Sequence, residues 1–434
     1  MKILHVSTLD LAGGAARGAY WLHRALREAG ADSSMLVSDK RSDDPSVLGL
    51  WGADPAWAAA CGERAALDEA VLAAHPRREA VYFSPASWTP GGVAEAINRF
   101  GADIVHLHWV EGGFVLPEDL PLLRGRLVWS LRDMWPLTGG CHYSEGCVRY
   151  GAGEPGDGCG RCPVLRSGDP EDATRRLWRR KEAAWQDLDL RVVAVSRWMA
   201  DCARASRLFA GRPVDVIHNG VSTGTFSPHD RADARRRLGI PEEKAVLLYG
   251  ALYSTTDARK GFQFLGPTLR RLAAKRNPVG MELLVFGASQ PEGPGRPESD
   301  FPPGLAVRYL GTIKDDALLR LVYAAADVTL VPSVEDACPK VPIESMACGT
   351  PVVCFDATGM RDIVDHLENG YRARCFDPGD LAAGIDWVLS QEGRLSAPAL
   401  RKARKAFSLD VQVRKHLALY REMMAAPSPA RQGN

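Results

Sequence analysis

The sequence predicts an α/β protein of two Rossmann-like, doubly wound domains, and three observations carry that prediction. Short β-branched apolar runs alternate with helix-period segments along the whole chain. The alternation breaks near residues 218–228 and then begins again. The length of 434 residues suits two or three domains. In the first series, residues 3–6 form a strand, Gly13-Gly14 breaks the chain, and residues 15–29 carry helical spacing through Ala19, Leu22 and Leu26 up to Gly30. Residues 35–37, 104–108, 127–130 and 192–195 follow as buried-type strands. This β-α-β order implies a parallel sheet.

The second series opens after a polar, charged stretch at 228–243. It runs through strands at 245–249, 283–287, 307–311, 328–331 and 351–354. Residues 290–303, rich in Pro, Gly, Glu and Ser, read as a loop. Ligands of such domains bind in a cleft at the carboxyl ends of the strands, which is the expectation here.

Composition excludes some partners. Lys plus Arg (54) nearly cancels Asp plus Glu (53), so net charge gives no reason to expect nucleic acid, and any anion site must be local. The apolar run after Lys2 is too short for a signal segment, and no run approaches the roughly 18–20 residues that span a bilayer. A cytoplasmic protein is expected, with the inner face of the membrane as a second location. Residues 174–185 read Thr-Arg-Arg-Leu-Trp-Arg-Arg-Lys-Glu-Ala-Ala-Trp. This basic helix suits either an anionic membrane surface or a solvated face with its aromatics buried.

The densest motif is residues 332–353, Pro-Ser-Val-Glu-Asp-Ala-Cys-Pro-Lys-Val-Pro-Ile-Glu-Ser-Met-Ala-Cys-Gly-Thr-Pro-Val-Val. A strand ends, an acidic loop follows, and a helix starts near Pro339 to Pro342 and stops at Gly349. The start of that helix suits a diphosphate. Its flanking acids, which would repel phosphate, suit sugar and ribose hydroxyls. Upstream, Arg259-Lys260-Gly261 leads into another helical segment.

These residues resemble glycosyltransferase family four, retaining enzymes of the GT-B fold, and the resemblance spans nearly the full chain. Thr358-Gly359-Met360-Arg361-Asp362, Asn369-Gly370-Tyr371 and Phe376-Asp377-Pro378 match the family's continuation. The resemblance implies that Asp336 meets the transferred sugar and Glu344 the donor ribose. It also places backbone amides at Pro339, Lys340 and Val341 against sugar and phosphate, and Lys260 on the diphosphate with Arg259 as its partner. Asp336 stands where the family usually has glutamate. Gly13 and Gly14 are expected to face the donor phosphates or the acceptor. His108 is expected at an outward-pointing strand end as a catalytic residue, sharing a face with His106. Arg132 stands where many relatives carry histidine, and with Asp133 it is expected on the acceptor side.

The implied organisation is an acceptor domain at 1–222 with a Cys-rich insertion at 139–165, then a donor domain at 223–406. A C-terminal helix and tail at 407–434 cross back to the first domain. The implied reaction moves a sugar from a nucleotide-diphosphate sugar to a hydroxyl of a glycan or lipid-linked acceptor, in surface polysaccharide assembly. A non-hydrolysing nucleotide-sugar epimerase and an inactive sugar-nucleotide-binding paralogue are the alternatives.

Four of the ten cysteines, Cys141, Cys147, Cys159 and Cys162, crowd into one segment. In a reducing compartment that pattern favours a structural zinc, with His142 as a substitute ligand, over free or disulfide-bonded thiols. No catalytic metal is expected, because no Asp-x-Asp stands at an exposed strand end.

Overall fold

The computed structural model describes the chain apart from residues 51, 53–54, 80–81, 88–91, 152–157, 252, 288–300 and 428–434. Most of the expected 290–303 loop therefore lies outside the described residues. The chain divides into two compact units, one of Met1–His218 with Gln412–Asn434 and the other of Asn219–Val411.

The first unit contains β1 (Lys2–Leu9), α1 (Gly13–Glu28), β2 (Asp32–Asp39), β3 (Val47–Gly49), α2 (Pro55–Ala73) and α3 (Val93–Asn98). β4 (Ile104–Leu107), β5 (Arg126–Leu131), α4 (Ala173–Trp185), β6 (Leu190–Ala194), α5 (Arg197–Ala205) and β7 (Val214–Val216) follow. Its seven strands pair in the order β3-β2-β1-β4-β5-β6-β7, and each pairing is parallel.

The second unit contains α6 (Arg231–Leu238), β8 (Ala245–Gly250), α7 (Leu265–Ala273), β9 (Met281–Phe286), β10 (Ala306–Tyr309), α8 (Asp316–Ala325) and β11 (Val328–Val331). It continues with α9 (Lys340–Ala347), β12 (Val352–Phe355), α10 (Met360–Ile363), β13 (Gly370–Ala373), α11 (Pro378–Ser390) and α12 (Ser396–Phe407). Its strand order is β10-β9-β8-β11-β12-β13, again parallel. The last helix, α13 (Leu409–Ala425), leaves the second unit and packs on the first, where Val413, Leu419 and Tyr420 join Ile3, Ile104 and Val128 in one apolar cluster.

Both sheets share one wiring. In each, the chain runs outward from the first strand, returns, and continues on the other side, so β1 lies beside β4 and β8 beside β11. Such a reversal separates the loops that follow the two central strands and leaves a crevice at their carboxyl ends. The residues after β8 and β11, and those after β1 and β4, are therefore the places to look for chemistry.

The basic segment expected on a membrane forms α4 in a different role. Leu177, Trp178, Lys181 and Trp185 are buried, and Trp185 stacks edge-on against Trp129 of β5. Its outward arginines pair with acids, Arg179 with Glu171 and Arg180 with Glu118. The apolar face is used inside the fold, which leaves it nothing to insert into lipid. Among the described residues, no helix is long and apolar enough to cross a membrane.

Candidate active site

In the second unit, β8 ends at Gly250 and the chain turns through Asp257 to Gly261, while β11 ends at Val331 and leads into the acidic loop. Strand adjacency brings these two segments together. Lys260 Nζ lies 2.6 Å from Asp336 Oδ2, in a partly buried ion pair. The Val334 amide donates to the Arg259 carbonyl at 2.8 Å and stitches the loops side by side. Tyr249, buried at the end of β8, donates its hydroxyl to the Ser254 carbonyl at 2.6 Å and so fixes the turn that carries Lys260.

Gly261 has φ +78°, and an added Cβ would overlap the Pro332 carbonyl. Only glycine combines that conformation with that approach. Behind Asp336, the Gly359 amide donates to the Asp336 carbonyl at 3.0 Å, and the Asp336 amide donates to Thr358 Oγ1 at 3.2 Å. The downstream Thr358-Gly359 motif is thus a back wall for the acid.

Helix α9 begins at Lys340, after Pro339, and among the described residues no side chain caps its N-terminus. Its first-turn amides and positive dipole end suit an anion. Glu344 sits one turn further on, buried, and accepts from Tyr323 Oη at 2.8 Å. A carboxylate only accepts, and so suits hydroxyl donors such as those of a ribose. Arg259, expected as the partner of Lys260, pairs through its guanidinium with Asp257 at 2.6 Å in its own turn.

In the first unit, Gly13 opens α1 with φ +85°. Among the described residues, neither Gly13 nor Gly14 has a neighbour within 4 Å of where a Cβ would sit, and no side chain caps the helix start. This start, too, suits an anion.

His108 corrects the expectation of an outward-pointing histidine, as both His106 and His108 are buried. His106 bonds Tyr420 Oη at 2.6 Å and Ser130 Oγ at 2.8 Å, so the returning helix α13 covers the face the two histidines share. Arg132, also buried, donates to His108 Nδ1 at 3.1 Å. Arginine can only donate, so neutral His108 must carry its proton on Nε2 and donate it to His5 Nδ1 at 2.8 Å. Arg132 thereby sets the tautomers of a two-histidine chain.

Burial holds His5, His106 and His108 well below the usual histidine pKa, and brings His23 and His416 down to about 4. Their folded-state values lie below the unfolded value of 6.5, so their contribution to stability is complete above pH 6.5 and fades as pH falls toward the folded values. Each can contribute a slope of up to about 1.4 kcal/mol per pH unit in that window. Urea melts between pH 7 and pH 5 are expected to show a steep loss of stability, and His416→Gln should flatten that slope. An unchanged slope in this variant would count against the reading.

Asp133 is likewise engaged within the protein and does not present a free carboxylate to an acceptor. Oδ1 accepts from the Trp135 amide at 3.0 Å, while Oδ2 accepts from Trp109 Nε1 at 2.8 Å and meets His142 Nδ1 at 2.6 Å. His142 Nε2 in turn bonds Ser84 Oγ at 2.8 Å. Both ring nitrogens of His142 are taken, which removes it as a thiol-site ligand. Tyr82, largely exposed, lies against Trp109 and His142. The sequence reading missed the Ser84–His142–Asp133 relay and Tyr82; only the neighbouring Arg132-Asp133 pair had pointed to this strand end.

Compared with known proteins, the chain is 32% identical over 342 residues to a D-inositol 3-phosphate glycosyltransferase of Geodermatophilus obscurus, covering 75% of this chain and 68% of that relative. The chain belongs to glycosyltransferase family four. A profile described as Glycosyltransferase Family 4 matches residues 12–225 of this family-four protein, and one described as Glycosyl transferases group 1 matches residues 243–391. The fold is GT-B: sucrose-phosphate synthase from Thermosynechococcus elongatus superposes with a TM-score of 0.64 at 20% identity, over 98% of this chain and 100% of that one. The Anabaena protein HepE, solved with UDP-glucose, superposes with a TM-score of 0.60 at 17% identity, over 98% and 99% of the two chains.

Proposed function

We propose that this family-four glycosyltransferase transfers a hexose, with retention at the anomeric carbon, from a nucleoside diphosphate sugar to a hydroxyl of a glycan or lipid-linked acceptor. Surface polysaccharide assembly on the cytoplasmic side of the membrane is the proposed setting. The observation that carries this reading is the Lys260–Asp336 pair beside the uncapped start of α9, with Glu344 one turn behind. HepE, of the same fold, was solved with UDP-glucose, which supports a nucleotide-sugar donor here.

In this reading Glu344 accepts from the donor ribose hydroxyls while Tyr323 holds it in place. The amides at the start of α9 receive the diphosphate, and Asp336 accepts from hydroxyls of the transferred sugar. Lys260, already held at the site by Asp336, neutralises charge on the leaving phosphate as the bond from C1 to the phosphate oxygen breaks. The new bond from C1 to the acceptor oxygen forms on the same face, and the acceptor proton passes to the departing phosphate. No side-chain base is needed, which fits arginine at position 132. Tyr82 and Trp109 offer an aromatic surface suited to a sugar acceptor.

Retention is what membership of the family implies, and metal-independent transfer is expected because no Asp-x-Asp follows a strand, the triplet Asp187-Leu188-Asp189 lying before β6 instead. Turnover should survive EDTA, and the product anomer read by NMR should match the donor's. An inverted anomer, or strict dependence on added manganese, would overturn the mechanism.

A further inference from the structure

We infer that Cys141, Cys147, Cys159 and Cys162 form a structural zinc site in the first unit, one that fixes the loop bearing His142. All four cysteines line one pocket, whose interior volume is about 20 Å³. That is room for a single small occupant. None of the four is in a disulfide, and Cys141 and Cys162 are buried and hydrogen-bonded to each other.

The surrounding backbone is arranged for sulfur. The Gly139 amide donates to Cys159 Sγ at 3.1 Å, an orientation that supports a thiolate. Between Cys159 and Cys162 the chain turns through Gly160 at φ +140°, where a Cβ would press on the Pro170 carbonyl. The Cys162 amide is held at 2.8 Å by Asp172, the residue that caps α4. The C-x2-C half is thereby anchored to the start of α4.

Charge points the same way. Four thiolates around one divalent cation carry two net negative charges. Lys181 is fully buried beside Cys159 and Cys141, and Arg149 lies beside Cys147, while Asp172 is the acid near Cys162. Lys181 Nζ donates to the Trp135 and Thr138 carbonyls, at the start of the segment that enters the cluster.

The rival group is the buried trio His5, His106 and His108, whose ligand atoms all lie within 4.8 Å of one another; among the described residues it is the one trio that close. Its nitrogens bond to each other, to Tyr420 and to Ser130, and cationic Arg132 donates into it. A metal there would face a positive charge and no carboxylate. The cysteines are set more loosely, and zinc would draw their sulfurs to about 2.3 Å from the metal.

What the site would hold is the strand-end wall. His142 follows Cys141 directly, its carbonyl accepts from the Met134 amide at 2.9 Å, and its ring joins Asp133 to Ser84. Zinc at the cysteines would keep this relay in register.

The test uses the full chain purified without chelators. Elemental analysis should find about one zinc per chain, and cobalt exchanged into the site should give near-ultraviolet sulfur-to-metal charge-transfer bands. Cys159→Ser and Cys147→Ser should lose the metal, while Cys375→Ser, an exposed cysteine of the second unit, should keep it. Should the serine variants fail to fold, the wild-type metal content and the cobalt spectrum still decide. Nucleoside diphosphate binding by a chelated but folded protein should persist, because the donor residues lie in the second unit; this separates failure of the zinc inference from failure of the proposed function. Metal-free wild-type protein of full stability, zinc retained by Cys159→Ser, or a Cys141–Cys162 disulfide found by mass spectrometry would each overturn the inference.

Discussion

Replacing Lys260 with Ala is expected to lower turnover by about 10²–10³, the usual cost of losing one charge partner of a transition state. The loss should fall on kcat more than on KM, because the charge Lys260 meets is greatest as the phosphate departs. Asp336 adds a second consequence. With its 2.6 Å partner gone, a mostly buried carboxylate is left beside the site, so Lys260→Arg should recover part of the activity by restoring the ion pair. Steady-state kinetics of the two variants check this. Wild-type kcat in Lys260→Ala would remove the lysine from the mechanism.

Gly261→Ala is expected to damage the same site through the backbone. The residue lies at φ +78° with the Pro332 carbonyl against it. A methyl group adds the strain of a left-handed conformation and an overlap with backbone that has no rotamer to retreat into. Together these cost about 2–4 kcal/mol. The loops carrying Lys260 and Asp336 should separate, so a lower melting temperature should be accompanied by a fall in kcat/KM greater than the unfolded fraction explains. Gly280→Ala, at an open position of the same unit, should leave both near wild type. Equal behaviour of the two variants would contradict the packing argument.

The parts of this site that were readable from sequence are those that local chemistry determines. The block at 332–353 announces an acidic loop and a short helix between two strands by its breaks alone, and the structure ends β11 just before it, forms α9 within it and starts β12 at its end. The resemblance gave Lys260 and Asp336 separate roles toward the donor; their ion pair comes from the structure, where the adjacency of β8 and β11 accounts for it physically. His108 failed for a reason that strand periodicity cannot contain. Alternation says which residues share a face, not which element later covers it, and here the cover is Tyr420, more than 300 residues away.

The same limit applies to α4. Its composition fits a membrane helix, and only its packing partners, Trp129 and the carbonyls of Trp135 and Thr138, show that its aromatic and lysine side chains point inward. The Ser84–His142–Asp133 relay joins three separate segments, so no spacing in the sequence signals it.

The central claim is that the second unit holds a nucleoside diphosphate sugar through Glu344 and the start of α9. Thermal shift with a panel of UDP- and GDP-sugars, run on wild type and on Glu344→Ala, tests it most directly. A ligand that binds only the folded state at a hundredfold excess over its Kd stabilises it by about 2.7 kcal/mol. One nucleotide class should therefore raise the wild-type melting temperature clearly and the Glu344→Ala temperature little. No shift with any member of the panel, or equal shifts in the two proteins, would contradict the assignment.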